Sequence, residues 1–131
     1  MKLAKIVKAH DAIQRLTEKR FTDYKKVREL VKLRKEVEAE FDFYVAEEKK
    51  AVDTYAEMNE QGEPAFLPDG RLKLKDEKAK IAFESEIAAL IDTEVDGITP
   101  IKISEKDFRS AEDLPTPDDM IVLDELIEFV D

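Results

Sequence analysis

The chemistry open to this chain is bounded first by what it lacks. It has no cysteine, so disulfides, thiolate metal sites and thiol nucleophiles are excluded. It has one histidine, His10. A zinc or di-iron centre draws on several imidazoles or on paired Glu-x-x-His helices, and one ring supplies neither. His10 lies one helical turn from Ile6, Val7 and Ile13 and reads as a partly buried ring bonded to a backbone or carboxylate group. Pro68-Asp69, with Glu77, Lys78 and Lys80 downstream, has the residue types of a nuclease centre. That chemistry wants its acids and lysine on adjoining strands, and here the second group falls at a helix start. Asp118, Asp119, Asp124, Glu125 and Glu128 are rich in oxygen ligands, but a hard cation needs oxygens converging on one point, and these are spread around a helix. Pro68-Asp69-Gly70 holds a single glycine, too few for a phosphate-cradling loop. The expected class is therefore non-enzymatic, with no catalytic, cofactor-binding or metal-binding residues and no cofactor.

The charge distribution says more. The net charge is −10, but it is split along the chain. Residues 1–35 hold 12 Lys/Arg against 4 Asp/Glu, while residues 105–131 hold 2 against 10. The simplest expectation is that the two ends neutralise each other, within one chain or between chains. The candidate interaction surface on the basic side is Arg15, Lys19, Lys25, Lys26, Arg28, Lys32 and Arg34, joined by Phe43. Of these, Arg15, Lys19, Arg28 and Arg34 are the expected partners of an acidic C-terminal helix carrying Asp118, Asp119, Asp124 and Glu128. If the basic end is free instead, it suits an external polyanion.

These residues must be positioned by helices. From Thr22 to about Gln61 there is no Gly or Pro, and Leu30, Leu33, Val37, Phe41, Tyr44, Val52 and Tyr55 recur at helical spacing. One amphipathic helix of this extent is about 55–60 Å long, against a diameter near 36 Å for a compact domain of this size. Its stripe must be covered by other helices, including those of a second copy. Phe43 points away from Phe41 and Tyr44 and is available to a second surface. A first helix over 2–19, with Leu3, Ile6, Val7, Ile13 and Leu16 on one face, completes an unequal hairpin over 2–61. Thr22 is the expected N-cap of the long arm and Gly62 its C-terminal cap. Residues 62–131 read as a small α+β part. It comprises a turn at Pro68-Asp69-Gly70, a strand at Leu72–Leu74, and a helix over 77–92 capped by Asp76. The buried face of that helix is Ala79, Ile81, Ala82, Phe83, Ile87, Leu90 and Ile91. A strand at Ile101–Ile103 is expected to pair with Leu72–Leu74, and a last helix over 117–129 opens on Thr116-Pro117. The fold class is thus mainly α with a small β element: a long helical hairpin, a short two- or three-stranded antiparallel sheet and a C-terminal helix, in one domain over 1–131.

This order of parts resembles a group of small accessory proteins encoded by tailed phages and prophages of low-GC Gram-positive bacteria. The stretches that carry the likeness are Phe83-Glu84-Ser85-Glu86-Ile87-Ala88-Ala89-Leu90-Ile91-Asp92-Thr93-Glu94-Val95, then Ile101-Lys102-Ile103-Ser104, then Pro117-Asp118-Asp119-Met120-Ile121-Val122-Leu123. The resemblance implies an accessory role inside an infected cell, and it carries no catalytic residues. The leading functional expectation is a cytoplasmic interaction protein that forms a homo-oligomer and binds another protein. The alternative is an oligomeric sponge for a small anionic nucleotide signal. Nucleic acid is disfavoured by the overall acidity. No run of eighteen apolar residues is present, so no membrane partner is expected.

Overall fold

A 32-residue helix, α2 (Tyr24–Tyr55), is the spine of the molecule. In the computed structural model, which describes residues 1–130, two half-length helices lie along it. Helix α1 (Leu3–Thr17) and helix α3 (Glu77–Ile91) have 15 residues each. Helix α1 runs antiparallel to the first half of α2: the Arg34 guanidinium reaches Thr17, and His10 stacks on Phe41. Helix α3 runs antiparallel to the second half, where the Tyr55 hydroxyl donates to Glu86. The two short helices meet end to end. Leu3 N donates to the Thr93 carbonyl at 2.9 Å and Val95 N to the Met1 carbonyl at 2.8 Å. The chain is about 57% helical with a small β element.

The C-terminal segments add a third layer over the first half only. Strand β1 (Ile101–Ser104) leads through two 3-10 turns into a short helix, α4 (Pro117–Val122), and strand β2 (Ile127–Val130). Strands β1 and β2 pair in parallel, Ile101 with Ile127 and Ser104 with Val130. The core lies between these layers: Leu3, Ile6, Ile13 and Leu16 of α1, Leu30, Leu33 and Val37 of α2, and Phe21, Ile103, Phe108, Leu123, Leu126 and Ile127 are all buried. Asp76 and Thr116 cap α3 and α4 as their sequence contexts predict, accepting from Ala79 N and Asp119 N.

Several expectations need correction. The spine stops at Tyr55, about 48 Å from its start, because Ala56 turns extended and enters a β arrangement. The N-cap of α2 is Asp23, whose carboxylate accepts from Lys25 N at 2.9 Å. Thr22 instead pairs with the 3-10 turn, donating from its backbone N to the Asp107 carbonyl. The last helix ends at Val122, and residues 127–130 are a strand. They take the place beside β1 that Leu72–Leu74 was expected to fill, so the named sheet is parallel, not antiparallel. On α3 only Ala79 is buried, and Ile81 is 62% exposed on the opposite face.

The tip of the spine is a closed three-sided ring. Isolated antiparallel bridges join Ala56 to Leu74, Met58 to Pro64, and Phe66 to Leu72. Each has both of its hydrogen bonds, and the pattern repeats every eight residues. Glu57 N donates to Lys73 O, Lys73 N to Ala65 O, and Ala65 N to Glu57 O, at 2.8–2.9 Å. Gly62 and Gly70 turn the corners at φ +75° and +88°, a region that glycine enters without penalty. The Phe66–Leu72 side is the hairpin expected from Pro68-Asp69-Gly70; the third side, from the end of α2, closes it.

Candidate interaction surfaces

The expected contact between the acidic C-terminus and the basic hairpin is present, and it is specific. Arg15 Nε donates to Asp119 Oδ2 at 3.0 Å and Arg15 Nη2 to Asp119 Oδ1 at 2.6 Å, a two-point grip. Helix α4 presents Asp119 because Thr116-Pro117 fixes the start of that helix against α1. The hydrogen bonds from Arg15 hold the Asp119 carboxyl below the usual carboxylate range. Nearly three turns back toward the start of α1, Lys5 Nζ reaches Asp124 at 2.9 Å, a pair that the charge pattern does not single out. Asp113 accepts from Arg20 N, which lowers its carboxyl as well. Glu128 lies 4.0 Å from Lys102, away from the basic hairpin. Among the described residues, Asp118 makes no ion pair.

The remaining members of the predicted basic surface separate into two groups. Arg34 is spent within the hairpin, donating to Glu38 and Thr17, and that bond lowers the Glu38 carboxyl. Lys26 reaches Glu29 at 3.1 Å and the Lys102 carbonyl at 2.6 Å. It therefore fastens β1 to the spine beside an open cleft of about 490 Å³ whose walls include Glu29, Lys32 and Glu36. With Lys26, Lys32 and Lys102 beside the two glutamates, the charge lining that cleft is mixed. In contrast, Lys19, Lys25, Arg28 and Lys32 have no carboxylate within 4.0 Å among the described residues. Lys35, exposed and without a carboxylate within 4.0 Å among the described residues, belongs with them. Phe43 is 45% exposed, as its place off the main stripe requires.

A second surface follows from what the core omits. Beyond Val37, in the arm made by the end of α2, the ring and α3, the buried residues are Ala51, Ala56 and Ala79. Every larger apolar side chain there keeps some exposure, with Phe66 at 64% and Ile81 at 62%. Two tyrosines of the arm are tied to glutamates. Burial first, and then the hydrogen bond to Glu48, push the Tyr44 phenol up to about 12. His10, partly buried, stacks on Phe41 at 3.7 Å between centroids and contacts Asp11 at 3.3 Å. No helix among the described residues is long and apolar enough to cross a membrane. No protein-family model, curated protein or solved structure matches this chain.

Proposed function

We propose that this is a non-catalytic accessory protein that self-associates through its distal arm and acts by binding other macromolecules, in the phage-infected cell that the resemblance implies. The observation that carries self-association is the arm beyond Val37, where only alanines are buried. The surface area agrees. A compact monomer of 15.1 kDa exposes about 7,100 Å², whereas this chain exposes 8770 Å². The excess, roughly 1,700 Å² for one chain, is about twice the roughly 800 Å² that each partner contributes to a standard protein interface, enough to supply one. Helix α3 adds a structural reason. Ala79, Phe83 and Leu90 face α2, while Ile81 on the opposite face is 62% exposed, a large apolar side chain that a second copy can cover.

Light scattering tests this reading directly. The expected mass is a multiple of 15.1 kDa, and Ile81→Lys returns it to the monomer with an unchanged helical spectrum, since the residue is already mostly exposed. A constant monomer mass across a wide concentration range removes the proposal.

A further inference from the structure

Lys25, Arg28, Lys32 and Lys35 stand on α2 at i, i+3, i+7 and i+10, so they share one face of the helix. All four are exposed, and among the described residues none has a carboxylate within 4.0 Å. Ten of the other cations make ion pairs, Lys2, Lys5, Arg15, Lys26, Arg34, Lys49, Lys50, Arg71, Lys73 and Lys102, and the unpaired remainder are scattered; what sets this row apart is that its four members share one helix face. In a molecule of net charge −10, four uncompensated cations on one helix face are a local concentration of positive charge. The same helix face continues through Ala39, Phe43 and Ala46, all exposed. Two alanines either side of an aromatic ring let another helix approach the backbone closely, with the ring as its anchor.

We propose that this face of α2, from Lys25 to Ala46, docks an acidic amphipathic helix of a partner protein. The cations span about 15 Å along a straight axis, and their 3–4 residue spacing matches carboxylates on one face of a parallel or antiparallel helix. Two features favour a protein over a nucleic acid. The aromatic residue lies beyond the cations rather than interleaved with them, as base stacking would need. The net charge of −10 repels a densely and continuously charged phosphate backbone more strongly than a helix that carries a few carboxylates on one face. The cation row lies before Val37 and away from the Ile81 face of α3, whereas Ala39, Phe43 and Ala46 lie on the arm assigned to self-association, so assembly and docking are measured separately.

The test uses the full chain and a labelled synthetic helical peptide of about 20 residues, with Glu at i, i+3, i+7 and i+10 and a Leu placed opposite Phe43. The controls are a peptide of the same composition with its Glu residues distributed around the helix, and a single-stranded oligonucleotide of similar length. Fluorescence anisotropy is expected to show the patterned peptide binding roughly tenfold more tightly than either control. The double substitution Lys32→Glu, Lys35→Glu abolishes that binding. Phe43→Ser weakens it roughly fivefold or more while the mass by light scattering stays that of the unmodified protein. Equal binding of the scrambled peptide or the oligonucleotide overturns the proposal, as does no binding of the patterned peptide or indifference to Phe43→Ser. Mass reports assembly and anisotropy reports docking, so failure of one is read separately from failure of the other.

Discussion

Removing the grip between Arg15 and Asp119 measures how the two oppositely charged ends of the chain hold each other. The geometry sets the magnitude. Two charge-assisted hydrogen bonds to a carboxylate that is 13% exposed would contribute about 1.5–3 kcal/mol apiece if fully buried. The guanidinium is 54% exposed, however, and exposed pairs contribute only about 0–1 kcal/mol. A double-mutant cycle with Arg15→Ala and Asp119→Ala is therefore expected to give a coupling of about 1 kcal/mol at low salt. Arg15→Ala is the more damaging single change of the pair interaction, because it strands the better buried partner. Asp119→Ala loses in addition the first-turn carboxylate of α4, about 0.3–1 kcal/mol. The folded-state carboxyl titrates below its unfolded value, so the contribution is complete above the ordinary carboxylate pKa and is lost as pH falls through the lowered one. Urea melts followed by far-UV circular dichroism, at fixed protein concentration, should show the coupling near neutral pH and its loss in acid, once the pH falls through the lowered carboxyl. A coupling of zero at neutral pH and low salt would mean that α4 is held by apolar contacts alone. A coupling that survives acid would mean that the carboxylate charge is irrelevant.

Leu123→Ala, which empties a fully buried position behind α4, should destabilise the chain by about 2–5 kcal/mol in the same melts. Phe41→Ala should cost only about half of the 3–5 kcal/mol of a fully buried phenylalanine, since its ring is partly exposed against His10. Glu48→Gln should bring the Tyr44 phenol down from about 12, read as an earlier tyrosinate absorbance in alkaline titration. Gly70→Ala, at φ +88°, should cost about 1 kcal/mol locally and speed hydrogen exchange at the Glu57, Ala65 and Lys73 amides without touching the core.

The parts of this fold that were readable are those whose causes are local. Asp76 and Thr116-Pro117 announce helix starts because a cap is satisfied within its own turn, and Pro68-Asp69-Gly70 announces a turn because proline and glycine fix φ on either side. The misread parts all depend on distant partners. Glu57-Met58-Asn59-Glu60-Gln61 has nothing against helix, and it leaves the helix because Ala65 and Lys73 offer its backbone a ring of hydrogen bonds. Leu123, Leu126 and Ile127 have helical spacing, yet Ile127-Glu128-Phe129-Val130 alternates as well, and only the vacancy beside β1 decides between them. The basic residues of the candidate surface were visible as residue types. Which of them would be claimed by carboxylates was not, because Arg15 meets Asp119 across more than a hundred residues of chain.

The end-to-end meeting of α1 and α3 has a mechanical consequence. Mechanically, α2 is a splint laid across a break in a rod. Along most of the length two helices resist bending together, but at the junction near Leu3 and Thr93 the short rod is interrupted and only α2 is continuous. The stiffness of the arm is therefore lowest there. A sideways load on the tip is carried to that joint, where two backbone hydrogen bonds and the pairing of Lys2 with Asp92 and Glu94 must hold the gap shut.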